Sequence, residues 1–313
     1  MNPHVSIILP SFNRAHLITE TLDSILSQSY QNWECIVIDD GSDDATEEVV
    51  QGYRQNDARI AYAKRPQNRP KGANACRNYG LNISRGELIN WFDSDDLMTI
   101  SHLEMHVQNH QNSDCAATVS SANVFQQITA NHIRKWDNIK PTQNIIDEMI
   151  ANHVLWPINC VVWKKSALPS QPFMEELASS QEWTFHLSQL IDGIHYKIIE
   201  QATCLVREHQ QRTGKDISAA KSFSTFSSRR YIMQLLQQRK MLSHPAEKGL
   251  LKDIFTALRQ SIQYKHYQVA NTILRYLTHQ IRQSRYSINI FKVLMLAYPI
   301  YKLSGKGEKL FKI

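Results

Sequence analysis

The chain has 313 residues, 42% of them hydrophobic, and a formal net charge of +6, enough for a full α/β core with something appended. No run reaches the roughly 18 apolar residues of a membrane-spanning helix, and the first apolar stretch, residues 5–10, is too short and lacks the basic leader of a signal peptide. The charge is lopsided: residues 227–313 carry 16 Lys+Arg against 3 Asp+Glu, whereas residues 1–226 carry 19 against 26.

In chain order, residues 5–10 form a β-branched run stopped by proline and read as a buried strand. Residues 20–28 place Leu22, Ile25 and Leu26 at helical spacing. Residues 34–38 read as a second continuous apolar strand, ended by Asp39-Asp40-Gly41-Ser42. A helix follows over 46–53, with Asp43 or Asp44 near its start. Residues 59–64 make a weak third strand, 72–83 a helix and 87–92 a fourth strand. Such alternation implies a mostly parallel sheet with helices on both faces. Ligands of such sheets bind beyond the carboxyl ends of the strands. Pro10-Ser11, Asp39-Asp40 and Asp93-Ser94-Asp95-Asp96 all lie at strand carboxyl ends, so three polar clusters converge on one rim.

The last cluster puts three carboxylates into four residues. Like charges that close repel unless something positive sits between them. A divalent cation with oxygen ligands meets that need, and Mg²⁺ or Mn²⁺ brings phosphates with it. The competing reading is an acidic loop after a strand.

Further along, residues 160–163 read as a strand, and a strand ending at Arg207-Glu208-His209 leads into a polar loop. Tyr231, Ile232, Leu235 and Leu236 recur at helix spacing, as do Ile254, Leu258 and Ile262, and then Val269, Ile273, Leu274 and Leu277. Residues 288–303 are dense in apolar and aromatic side chains, broken by Pro299 and flanked by Lys and Arg. For 227–283 the expectation is helices packing on the preceding α/β domain; for 286–313 it is contact with an anionic membrane surface. No recognised binding module accompanies the basic residues, so nucleic acid is not an expected partner. Cysteines 35, 76, 115, 160 and 204 are scattered singly in or beside apolar segments, which reads as reduced core thiols in a cytosolic environment.

Five ordered blocks carry a resemblance. They are Val5-Ser6-Ile7-Ile8-Leu9-Pro10-Ser11-Phe12-Asn13-Arg14, Ser24-Ile25-Leu26-Ser27-Gln28-Ser29-Tyr30, the stretch from Glu34 through Asp39-Asp40-Gly41-Ser42 to Thr46, Ala75-Cys76-Arg77-Asn78-Tyr79-Gly80, and Gly86-Glu87-Leu88-Ile89-Asn90-Trp91-Phe92-Asp93-Ser94-Asp95-Asp96. Together they resemble a family 2 glycosyltransferase with the GT-A fold, of the kind that builds bacterial polysaccharides and cell envelopes. The resemblance implies an α/β, Rossmann-like catalytic domain over 1–215, in which 1–100 binds a nucleotide sugar and 101–215 faces the acceptor. A basic helical extension, 216–313, would follow.

The resemblance also implies roles. Pro10 and Ser11 would line the nucleoside pocket, and Asp40 would accept a hydrogen bond from the base. Asp93 would face the ribose or the metal, and Asp95 would bind a Mn²⁺ or Mg²⁺ ion that bridges the donor diphosphate. Arg77 would support the acidic loop or touch the diphosphate; Asp39 is expected to cap its strand end. An inverting transfer needs a general base. The family places an acid before a helix, usually in Glu-Asp-Trp; here the sequence is Gln181-Glu182-Trp183, which makes Glu182 the expected base. Trp156 and Trp183 would stack on sugar faces or serve as core aromatics. His209 would meet metal or phosphate.

The implied activity is metal-dependent inverting transfer from a nucleotide sugar, a UDP-sugar, to a glycan or lipid-linked acceptor. The implied place is cytoplasmic and peripheral, on the inner face of a membrane. One rival is a nucleotidyltransferase, but Ser11-Phe12-Asn13-Arg14 is not its triphosphate loop. The other is a non-catalytic nucleotide-sugar-binding relative, expected to lack Asp95 or the Glu182 carboxylate.

Overall fold

The computed structural model describes residues 3–126, 132–208 and 218–280, with Tyr286 and Lys292. His209 and nearly all of 286–313 therefore lie outside the described residues, so the expectations placed on them are not addressed by the fold.

The elements in chain order are β1 (Val5–Ser11), α1 (Ile18–Leu26), β2 (Trp33–Asp39), α2 (Thr46–Asn56), β3 (Ile60–Lys64), α3 (Ala73–Ile83), β4 (Leu88–Trp91), β5 (Leu97–Met98), α4 (His102–Gln111), β6 (Ala117–Phe125), β7 (His132–Trp136), α5 (Ile145–Ile150), β8 (Val161–Lys164), α6 (Gln181–Ile191), β9 (Tyr196–Arg207), α7 (Ala219–Gln238), α8 (His244–Gln263) and α9 (Tyr267–Gln280). They fall into two compact units. The first comprises Met1–Thr142, His153–Glu176 and Asp192–Thr213; the second comprises Gln143–Asn152, Leu177–Ile191 and Gly214–Ile313. Helices α5 and α6 thus cluster with the C-terminal helices.

The first unit is built on one sheet of order β3-β2-β1-β4-β8-β6-β9-β5, with β7 beside β6. Strands β3, β2, β1 and β4 are mutually parallel. Beyond them the sheet is mixed: β8 runs antiparallel to β4 and β6, while β9 is parallel to β6. The parallel half reads as unbroken apolar runs because both faces are covered; every residue of β2 is buried. On α1 the buried residues Ile18, Leu22 and Ile25 recur at one helical face. Gly80 lets α3 approach β1, since a Cβ there would sit 2.3 Å from Ile8 Cγ2. All five cysteines are free and buried, and burial pushes the Cys35 and Cys76 thiols up to about 12.

In the second unit the expected helical stripes are present: Ile232 and Leu236 on α7, Ile254, Leu258 and Ile262 on α8, and Ile273 and Leu277 on α9 are all buried. Ser218 and Ser243 cap α7 and α8, accepting from Lys221 N and Ala246 N. Among the described residues, no helix is long and apolar enough to cross a membrane.

One buried feature was not read from the sequence. His102, His106 and His110 line one face of α4 and are all buried. His102 Nδ1 hydrogen-bonds Thr203 Oγ1 of β9 at 2.8 Å, His106 Nδ1 bonds Thr118 Oγ1 of β6 at 2.7 Å, and His110 Nε2 bonds the Val162 carbonyl of β8 at 3.0 Å. Desolvation lowers His102 to about 3 and His110 to about 4, and holds His106 well below the ordinary histidine value. All three are neutral in the folded chain. An unfolded histidine titrates near about 6.5, so stability should be independent of these groups above that pH. Below it, each should cost up to about 1.4 kcal/mol per pH unit until its folded value is reached. Urea unfolding midpoints should hold steady between about pH 7.5 and 8.5 and fall steeply between about pH 6 and 4.5. A midpoint unchanged across that lower range would contradict the buried neutral stripe.

Candidate active site

The parallel register lines up the strand ends: Ser11 of β1 pairs with Asp39 of β2, and Asp39 with Lys64 of β3. The chain leaves each strand under backbone control, with Asp40 N donating to the Ser11 carbonyl at 2.8 Å and Arg65 N to the Asp39 carbonyl at 2.8 Å. On the same rim Phe92 N donates to the Ile8 carbonyl at 2.9 Å and delivers the acidic loop. The result is a cleft of about 280 Å³ lined by Pro10, Ser11, Asp40, Asp93 and Asp95, with Phe12, Arg14 and Ala73 beside them. The three sequence clusters do converge. Ser11 Oγ is buried here with no hydrogen-bond partner among the described residues.

Each carboxylate of the acidic loop meets a donor or a cation. Arg77, buried on α3, donates through Nη2 to Asp93 Oδ1 at 3.0 Å. Asp95 pairs with Arg14 Nε at 3.5 Å; the Arg14 side chain is 38% exposed, so solvent can compete for it. Asp96 is 2% exposed and accepts from Asn159 Nδ2 at 2.5 Å and Arg207 N at 2.7 Å. Asn159 also accepts from Asp93 N at 2.8 Å, and Arg207 Nε donates to the Asp95 carbonyl at 2.8 Å. Asp96 is thus a structural acid, while Asp93 and Asp95 face the cleft.

Asp39 caps its strand end as expected: Oδ2 accepts from Gly41 N at 3.1 Å and Ser42 N at 3.0 Å, and Oδ1 from Ser42 Oγ. Asp40 carries a close guanidinium, since Arg65 Nε donates to its Oδ1 at 2.5 Å. The loop at Phe12–Arg14 is held to the turn after β2. Asn13, at φ 53°, donates through Nδ2 to Asp43 Oδ1 at 2.7 Å and accepts from Asp43 N at 3.0 Å, and Arg14 N donates to Thr46 Oγ1 at 2.9 Å. Asp44 accepts from Thr46 N at 3.0 Å at the start of α2.

Sequence reasoning missed Arg65; Arg14, Asn159 and Arg207 stood in motif segments, but their contacts to the acidic loop were not read. Arg65 was findable, because it follows a strand whose parallel partner ends at Asp39. Trp156 is 4% exposed, donates through Nε1 to the Ile139 carbonyl at 2.8 Å and meets Tyr196 edge-on at 4.9 Å, so it is a core aromatic. In the second unit, Glu182 lies half-buried in the first turn of α6. Its neighbour Trp183 donates through Nε1 to the Met149 carbonyl at 3.1 Å.

Among the described residues no three His, Cys, Asp or Glu side chains group into a closed metal cage. Asp93 and Asp95 offer hard carboxylate oxygens at a half-open cleft, which suits Mg²⁺ or Mn²⁺ because these ions are held by one or two carboxylates plus phosphate and water oxygens.

The acidic rim lies at the carboxyl ends of the parallel strands, where open α/β folds bind their ligands. Residues 6–168 match the family described as Glycosyl transferase family 2, and the chain belongs to that family. It is 34% identical over 125 residues to a Bacillus subtilis protein named as a putative teichuronic acid biosynthesis glycosyltransferase, TuaG, covering 40% of this chain and 49% of the relative. It is 32% identical over 165 residues to the Escherichia coli UDP-Glc:alpha-D-GlcNAc-diphosphoundecaprenol beta-1,3-glucosyltransferase WfgD, covering 49% of this chain and 64% of that one. The chain thus spans roughly half to two thirds of these relatives' lengths. Residues 1–349 of S. aureus TarS, solved in complex with UDP-GlcNAc, share the fold with a TM-score of 0.66 at 17% identity, over 95% of this chain and 91% of that one. The fold is GT-A.

Proposed function

We propose that this chain transfers a sugar from a UDP-sugar to a glycan or lipid-linked acceptor, with a divalent cation and inversion at the anomeric carbon. The observation that carries this reading is the convergence of Ser11, Asp40, Asp93 and Asp95 on one cleft at the strand ends. Family membership, and the lipid-linked substrate in the name of the E. coli relative, support it further.

In this reading Pro10 and Ser11 enclose the nucleoside, and the idle Ser11 hydroxyl gains a partner there. Asp40, oriented by Arg65, accepts a hydrogen bond from the base. Asp93, held by Arg77, would face the ribose or the cation, and Asp95 would hold the cation in place of Arg14. Mn²⁺ or Mg²⁺ bound there would neutralise the charge that develops on the departing diphosphate. Glu182 takes the proton of the acceptor hydroxyl. The acceptor oxygen then bonds to the anomeric carbon from the face opposite UDP, the bond to the phosphate oxygen breaks, and UDP leaves. His209 remains a proposed contact to metal or phosphate.

A panel of UDP-glucose, UDP-galactose and UDP-N-acetylglucosamine, scored for hydrolysis with and without Mn²⁺, tests the activity. One member should be hydrolysed only with metal. Glu182→Gln keeps its shape but cannot take a proton, and should slow that hydrolysis about 10²- to 10⁴-fold. A near-normal rate in the variant would move the base elsewhere.

The basic extension suits a peripheral position at the inner face of a membrane. Each basic residue near an anionic surface contributes about 1 kcal/mol. The intact chain should co-sediment with phosphatidylglycerol vesicles at low salt. Removal of residues 287–313 should abolish this while leaving donor hydrolysis intact; unchanged vesicle binding would contradict the assignment.

A further inference from the structure

The proposed base lies in the second unit, and one guanidinium from the C-terminal extension grips the chain on both sides of it. Arg229 of α7 is 8% exposed. Its Nη1 donates to Ser180 Oγ at 2.7 Å, and its guanidinium carbon lies 3.8 Å from the centre of the Trp183 ring. Its Nε donates to Asp253 Oδ2 of α8 at 2.9 Å. Ser180 and Trp183 flank Gln181-Glu182. Ser180 sits in the left-handed region at φ 59°, costly for a residue other than glycine. Thr184 N donates to the Ser180 carbonyl at 3.0 Å, so this strained residue is where α6 begins. On its other side, Trp183 is tied to α5 through Met149, and α5 is tied to the start of α8 by Ser243 Oγ donating to Asp147 Oδ1 at 2.5 Å.

We infer that Arg229 is a positioning residue for Glu182, which makes the helical extension part of the catalytic apparatus. The inference rests on the reading of Glu182 as the base. Its alternative is a buried ion pair that merely joins α7 to α8, and the Asp253 contact alone would serve that end. The other two contacts do not. They use the planar face and a second nitrogen of the guanidinium, and both go to residues within two positions of Glu182. Lysine carries the charge but can reproduce neither the stacking nor the fork. A base acts only within hydrogen-bond reach, and a misplacement of about 1 Å can cost about 10²-fold in rate.

The test uses the full chain and the UDP-sugar hydrolysed fastest in the panel. Arg229→Lys keeps a cation opposite Asp253. It should lower kcat about 10- to 100-fold with donor KM within about twofold. Amide hydrogen exchange at residues 182–184 should rise, while that of α8 stays unchanged. Ser180→Gly relieves the left-handed strain and removes one grip. It should melt no lower than the parent and still lose kcat, so a folding defect cannot account for the result. Because Arg229 acts through Glu182, adding Arg229→Lys to Glu182→Gln should slow hydrolysis no further. A kcat within about twofold of the parent in both single variants would overturn the inference, as would an additive loss in the double variant or unchanged exchange at 182–184. If Glu182→Gln alone leaves kcat intact, the base assignment fails instead, and the exchange result alone then decides whether Arg229 orders that turn.

Discussion

The first unit depends on keeping three carboxylates of one four-residue loop apart in charge while holding them together in space. Two unit charges about 4 Å apart repel by about 4 kcal/mol at an effective dielectric near 20. The fold offsets this by bringing a donor or cation to each acid. Arg77 takes Asp93, Arg14 takes Asp95, and Asn159 with the Arg207 amide takes Asp96. The partners differ in kind. Asp96 is sealed, and its burial fixes the loop; Arg14 is half-exposed, so Asp95 can trade its counter-charge.

That arrangement ties distant parts of the chain to the rim. Asn159 is 66 residues from Asp93 and Arg207 is 111 from Asp96. Asn90 donates through Nδ2 to the Asn159 and Val161 carbonyls, and its Oδ1 meets His102 Nε2 at 3.2 Å. A continuous buried polar chain therefore runs from the histidine face of α4 to the acidic loop. Its groups are hydrogen-bonded, as the low dielectric of the interior requires.

The parallel half of the fold was legible because burial on both faces leaves unbroken apolar runs such as residues 33–39, and because polar clusters stood at the ends of those runs. Asp39 as a cap and the convergence of Ser11, Asp40, Asp93 and Asp95 followed from the same logic. Long-range partners were not legible. Nothing local marks Asn159 as the loop's anchor, and Arg65 emerges only once the β2–β3 register is known. Histidines at 102, 106 and 110 carried no reading, since their partners on β9, β6 and β8 are set by the sheet and not by local sequence. The clustering of α6 with the extension has no signal in spacing or composition; it rests on long-range contacts such as those of Arg229 with Ser180 and Trp183 and of Ala178 N with Ser224 Oγ.

The central claim is the proposal that Asp95 would hold a divalent cation, in place of Arg14, when a nucleoside diphosphate binds. Isothermal titration of UDP into the parent chain and into Asp95→Ala, each with and without Mn²⁺, tests it most directly. The account predicts that Mn²⁺ tightens UDP binding to the parent and leaves the variant at its metal-free affinity, with both proteins melting alike. Equal strengthening by Mn²⁺ in the two proteins would contradict it.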